Sequence, residues 1–501
     1  MTRLKSHLLY ATLREDNTMS SNINNLIFVI NVMILTFTLF IYIFFEYSLN
    51  DTFILFFVSM AFILLSLFSL RGERYEILKK NYFKHSTLVL LGIFVVSFQK
   101  YIDFYLGYID KNELLMQISE ESVAKSLIIV FIGLISFFIG YLLKSNKLNS
   151  KSKNYFKGSS TQFLTFLSIA FLLGFLLTVN PLYVMGGYGI HDIGNNAIYF
   201  SLLFKASYFA LIIQKLINSS NYNLKIHNVF DYVKFVGYFN IGLFLVYISV
   251  VLLSGDRGDF VALSLLLLIG YINSTGEKIS RFKSILMICV AAFFITLLGV
   301  ARSFNTLENA SFTSNISKAL SGESNKHQTE SILPFTAELG DSAKALHYSV
   351  EYVPTHYEYL YSRFHFQAIL GIIPFSSYIS PLIFNDTSEK YTSSDSYITW
   401  LIEGENPQTG HGTSMIADFY LSYGVLGVIF GMGFFGWLIR YCEQHMQLKD
   451  NKHLILLIIS VVIFSSSIYL ARSSLLPPIR LIVWIWILML LNEWLNKRLI
   501  K

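Results

Sequence analysis

Four arginines are the first chemically suggestive residues of this chain. Arg257, Arg302, Arg472 and Arg480 each border a long apolar run, and the charge pattern described below puts all four at the outward mouths of those runs. Like charges held in one layer repel unless an anion or carboxylates balance them. A guanidinium grips a phosphate through two parallel hydrogen bonds and keeps its charge in any pocket. The group therefore points to an anion site, which a diphosphate would fill. Arg257 lies in the tight turn Ser254-Gly255-Asp256-Arg257-Gly258-Asp259, whose glycines leave the side chain unobstructed. The plainer alternative is pairing within the protein, with Asp256 or Asp259 beside Arg257, or with Glu338, Asp341 or Glu351 for the group.

A second segment runs Thr409-Gly410-His411-Gly412-Thr413-Ser414-Met415-Ile416-Ala417-Asp418. Glycines on both sides let the backbone bend around His411, whose ordinary pKa of about 6.5 suits proton transfer at neutral pH. Ser414 and Asp418 share a helix face, with Asp418 about one turn inside the membrane. An ionisable group there is expensive and points to function; the alternative is that it neutralises a nearby arginine. Lys205 and Arg363, the latter among Tyr359, Tyr361 and Phe364, are further candidates for the same site. His347, His356 and His365 follow no metal-binding pattern and read as ordinary loop histidines, and Gly186-Gly187-Tyr188-Gly189-Ile190-His191 reads as a turn or a sugar-stacking surface.

The elements that must position these residues are membrane helices. With 54% apolar and 14% charged residues over 501 positions, the chain is far from the balance of a soluble domain. Apolar runs long enough to cross about 30 Å of hydrocarbon recur at 25–45, 53–70, 84–106, 123–143, 161–179, 197–217, 233–254, 258–274, 283–301, 415–438, 453–470 and 479–496. The expected fold is an all-α polytopic membrane protein of about twelve transmembrane helices. Lysines and arginines crowd alternate connections, such as Arg71, Arg74, Lys79 and Lys80, while the short connections between hold only Lys111, Arg257 and Arg472. Basic connections stay cytoplasmic, so both termini face inward. The net charge of +6 is then a topology signal and no sign of nucleic-acid binding. No cleavable leader is visible, and Cys289 and Cys442 have neither disulfide nor metal spacing. No metal and no cofactor is expected.

Three regions follow: helices 1–9 over residues 1–301, a large outer loop at 302–414, and helices 10–12 over 415–501. The loop is far longer than an ordinary connection, and such loops carry function. Residues 305–329 read as mobile and 333–383 as partly helical. The apolar run 366–384 is broken by Pro374 and Pro381 and reads as interfacial or re-entrant. Gly424, Gly427, Gly431, Gly433 and Gly436 make a small-residue surface for close helix packing.

Gly255-Asp256-Arg257-Gly258 at a helix entrance, Gly371-Ile372-Ile373-Pro374 in the outer loop, Gly410-His411-Gly412-Thr413-Ser414, and Asp418-Phe419-Tyr420-Leu421-Ser422-Tyr423-Gly424 together give a layout that resembles the Wzy-type oligosaccharide repeat-unit polymerases, which include O-antigen polymerases. The resemblance implies a bacterial inner-membrane glycosyltransferase acting on undecaprenyl-diphosphate-linked oligosaccharides at the outer face, without metal or nucleotide and with inversion at the anomeric centre. On this reading Arg257, Arg302 and Arg472, with Arg480, Lys205 and Arg363, hold the diphosphate, and His411 or Asp418 takes the acceptor's proton. Membrane lipids, a chain-length regulator and a flippase are the implied partners. Other readings are an O-antigen ligase acting on lipid A core, a lipid-linked oligosaccharide flippase or other transporter, and a scaffold for the assembly machinery.

Overall fold

A computed structural model describes residues 2–72, 83–143, 159–184, 193–221, 226–254, 256–275, 331–333, 336–373, 376–384, 386, 388–407, 410–447, 454–474 and 477–499. Among them every regular element is helical. In chain order the main helices are α1 (Thr2–Phe44), α2 (Asp51–Ser69), α3 (His85–Tyr105), α4 (Glu120–Leu142), α5 (Gln162–Thr178), α6 (Asn195–Asn221), α7 (Val229–Val236), α8 (Tyr238–Ser254) and α9 (Gly258–Thr275). The large loop supplies α10 (Ala343–Tyr352), α11 (Arg363–Leu370), α12 (Ser376–Ile383) and α13 (Ser394–Glu403). The chain ends with α14 (Met415–Gln447), α15 (Leu454–Leu470) and α16 (Pro477–Leu499).

Among the described residues eight helices are long and apolar enough to cross a membrane, or nine if α7 and α8 count as one span. This makes a multi-pass membrane protein, and the described residues do not confirm the expected count of twelve. The expected span at 283–301 lies outside the described residues, as do Arg302, Cys289, the 186–191 turn and the 305–329 stretch. The expected fifth and eleventh spans, α5 and α15, are apolar helices of 17 residues, only about 26 Å long at 1.5 Å per residue. The expected straight span at 233–254 is instead bent by 89° at Gly237, whose φ of +95° is a conformation that a side chain disfavours.

Two apolar groups build the core. One joins α2, α3, α4, α14 and the loop helices, and the other joins α5 to α9 with α15 and α16. In the first, α4 and α14 come close enough for backbones to touch. A methyl placed on Gly140 would lie 1.8 Å from the Gly433 carbonyl oxygen, and one on Gly436 would lie 2.1 Å from that of Phe137. Of the small-residue face, Gly433 and Gly436 therefore let these two backbones meet, while Gly427 and Gly431 make room for Phe419 of the same helix.

The expected run 415–438 is not one continuous helix. It breaks at Tyr423–Gly424, where Gly424 takes φ +63°. The break releases carbonyls from the helical ladder, and buried carbonyls need new donors. The large loop supplies them: Leu360 N–H donates to Leu421 O at 2.9 Å and Tyr361 N–H to Ser422 O at 3.1 Å. Gly424 also faces the Tyr359 ring, where a methyl would meet the hydroxyl at 2.7 Å.

Polar side chains of α3 moor the rest of the loop. Asp103 accepts from Ser331 Oγ (2.7 Å) and Ile332 N (2.9 Å), Thr336 Oγ1 donates to Gln99 Oε1 (2.6 Å), and Lys100 pairs with Asp341 (2.9 Å). Tyr101 bonds to His347 Nε2 at 2.8 Å. The broken apolar run at 366–384 forms the short helices α11 and α12, with Phe366, Ile369, Leu382 and Ile383 exposed. At the opposite ends of the helices, buried Glu443 accepts from Ser86 N (2.7 Å) and Tyr141 OH (2.5 Å), and Arg71 donates to Ser86 Oγ (3.0 Å). The helix ends thus gather into two polar faces, and the large loop lies on one.

Candidate functional site

The turn between α8 and α9 is shaped by Asp256, whose side chain accepts from Gly258 N at 2.8 Å. It directs Arg257 toward the loop, where Nη2 donates to Glu338 Oε2. Arg472 comes from the turn between α15 and α16 and donates to the other oxygen of the same carboxylate at 3.2 Å. Glu338 therefore draws together two arginines that lie 215 residues apart in the chain. Arg472 is itself fixed by its N–H to Tyr469 O (2.9 Å), and Met415 N–H to Ala471 O (3.1 Å) ties the start of α14 to the end of α15.

That tie brings in the glycine-flanked histidine. Gly412, at φ +70°, lies next to Arg472, with the place of a methyl 3.8 Å from its Nε. His411 Nε2 contacts Glu403 Oε1 at 2.6 Å, and its backbone N–H donates to Thr399 Oγ1 at 3.0 Å. Burial, then the charge of Lys344, pushes the His411 pKa below its usual range against the pull of Glu403. Lys344 is also pushed down by burial first, with Lys100 and Arg472 adding to the effect and Asp341 opposing it. Asp256 is raised to about 6 by burial and by neighbouring Asp259. Arg257, Arg472, Lys344 and His411 thus form one group of basic side chains interleaved with the carboxylates of Glu338, Glu403 and Asp341.

Beside this group lies a cavity of about 640 Å³ between the helix bundle and the large loop, within the usual range for ligand sites. Leu202, Phe209 and Ala262 wall it from the bundle, and Phe364, Gln367 and Ser380 wall it from the loop. Lys205 and Asp259 face it as an ion pair at 2.8 Å, with Asp259 also accepting from Tyr247. Arg480 faces it too, with no ion pair among the described residues. Gly371 makes room for that guanidinium, since a methyl there would lie 2.5 Å from Nη2. Tyr469 lines the cavity and lies within electrostatic reach of Arg257, Arg472, Asp256 and Glu338, which links the two parts.

The structure therefore brings Arg257 and Arg472 together, puts His411 next to them, and sets Arg480 and Lys205 in the adjoining cavity. Arg363 stands apart. It stacks on Tyr391 at 3.7 Å and donates to the Asp386 carbonyl, holding one loop segment to another. Asp418 is fully buried, and its partner is a histidine: Asp418 Oδ2 lies 3.1 Å from His365 Nε2, while Oδ1 is buried without a partner. His365 is thus no ordinary loop histidine. Nothing local foretold this pair, whose members are 53 residues apart on different elements. Glu403 and Tyr469 were also missed, although they stand eight residues before His411 and three before Arg472.

A family model described as O-antigen polysaccharide polymerase Wzy matches residues 26–501, nearly the whole chain. No curated protein and no solved structure matches.

Proposed function

Because the chain belongs to the O-antigen polysaccharide polymerase Wzy family and is therefore a polysaccharide polymerase, we propose that it joins undecaprenyl-diphosphate-linked oligosaccharide repeat units at the outer face of the bacterial inner membrane. The observation that carries this reading is the meeting of Arg257 and Arg472 on one carboxylate at the edge of the cavity. Two guanidiniums sharing a carboxylate have the charge and the donors for a diphosphate, which would take the place of Glu338. Their hydrogen bonds strengthen as the anomeric bond breaks and charge builds on the leaving diphosphate. The leaving group supplies the driving force, so neither nucleotide nor metal is needed.

Arg480 and Lys205, set in the cavity between apolar helix faces and hydroxyl-bearing loop segments, suit a second lipid-linked substrate whose sugar lies under the loop. Tyr357 and Trp400, backed by buried Tyr397, form an adjoining aromatic pair, a surface on which sugars stack. Arg302 belongs to the proposed group by sequence alone, and Arg363 serves the loop. Direct displacement would invert the anomeric centre. The ligase and flippase readings are not favoured by the family. A chain-length regulator and a flippase remain the proposed partners.

The test is the purified protein in lipid vesicles with defined prenyl-diphosphate-linked repeat units and no other enzyme. Products carrying two or more repeats on one carrier are expected. Substrate that stays monomeric, or that only crosses the bilayer, would overturn the proposal.

A further inference from the structure

Displacement by a sugar hydroxyl frees one proton, and a base effective near neutral pH must accept it. We infer that His365 is that base and that Asp418 positions it; the inference rests on the polymerase reading above.

The geometry fixes which ring nitrogen is available. A carboxylate only accepts hydrogen bonds, so the 3.1 Å contact places the proton of neutral His365 on Nε2, donating to Asp418 Oδ2. Nδ1 then keeps a lone pair, and among the described residues it makes no hydrogen bond. Asp418 is 0% exposed while the His365 side chain is 20% exposed. The carboxylate therefore reaches the surface only through the ring, and cannot meet an acceptor sugar itself. A buried carboxylate with one oxygen unpartnered is costly alone, and a positive charge forming on the adjacent ring would stabilise it.

Position agrees with chemistry. His365 is on α11, whose Phe364, Gln367 and Ala368 wall the cavity, while its own ring lies beside that wall near Phe419 of α14. Asp418 is on the first half of α14, which is entered through Gly412 beside Arg472 and is closed by the loop's hydrogen bonds at Leu421 and Ser422. The pair thus bridges the segments that border the sugar and diphosphate sides. His411 makes a similar contact with Glu403 at 2.6 Å, but burial first and then the charge of Lys344 oppose a positive charge on its ring against the pull of that carboxylate.

In the step itself, the acceptor oxygen bonds to the anomeric carbon as the bond from that carbon to the diphosphate oxygen breaks with its electron pair. The hydroxyl proton passes to His365 Nδ1 and then to water or the departing diphosphate, with no change of oxidation state.

The experiment compares wild type, His365→Ala, His365→Gln and Asp418→Asn in the vesicle assay, with and without added imidazole. Gln keeps a donor for Asp418 but takes no proton. His365→Ala and His365→Gln are expected to lose on the order of 10²–10⁴ in kcat, with imidazole restoring part of the rate in the Ala variant only. Asp418→Asn is expected to lower kcat with KM unchanged. A His365→Gln enzyme at wild-type rate overturns the inference by making the contact purely structural. So does a His365→Ala loss that imidazole leaves unchanged in well-folded protein. A wild type that joins no repeat units overturns the polymerase reading and this inference with it.

Discussion

Arg257 is only 11% exposed and shares Glu338 with Arg472, so its removal takes away one half of the proposed two-armed grip on the diphosphate. With Arg257→Ala at normal membrane levels, long glycan chains should be lost and single repeat units remain, with a rate deficit on the order of 10²–10³ as for other donors to a developing anion. Arg257→Lys should rescue poorly, because a compact ammonium cannot donate two parallel hydrogen bonds. Gel ladders of carrier-linked glycan check both, and a wild-type ladder from Arg257→Ala would remove this side chain from the mechanism. The residue types were legible in the sequence, since arginines beside apolar runs are rare and conspicuous. Their partners were not. Glu338 was one of several acids within chain reach, and only folding chose it.

Helix positions were legible from apolar run lengths, whereas breaks and bends within helices were not. Gly424 is one of five glycines between 424 and 436. Sequence cannot show which of them meets a neighbouring backbone and which takes a positive φ to open the helix for the loop. The docking of α10 on α3 carries its own test. Burial, reinforced by the nearby charge of Lys100, lowers His347 from 6.5 to about 3, so the folded protein keeps this ring neutral where the unfolded chain would protonate it. The unfolded state then binds the extra proton, and the contribution of this site is fully present above about pH 6.5 and is lost progressively as pH falls toward 3. Loop proteolysis or amide exchange should accelerate over that window, and His347→Leu should flatten the response. Equal acid sensitivity in the variant would assign it to other groups.

For the whole molecule, the two polar faces give the membrane orientation a direct check. With Cys289 and Cys442 replaced, a cysteine at Ser388 should react with a membrane-impermeant maleimide in intact cells with a permeabilised outer membrane. One at Lys497 should react only after the inner membrane is opened. The reverse pattern would invert the expected topology and remove the proposed anion site from the outer face. Composition and the spacing of lysines and arginines determined by themselves that this is a multi-pass helical membrane protein with a large loop, because hydrocarbon thickness and the cost of burying charge act on local stretches of chain. Tertiary structure alone decided which charges meet: Arg257 with Arg472 through Glu338, Arg480 and Lys205 in the cavity, Arg363 apart, and His365 on Asp418. Such pairings depend on packing between segments far apart in sequence, where a shift of a few ångströms decides whether two groups form a hydrogen bond or none at all.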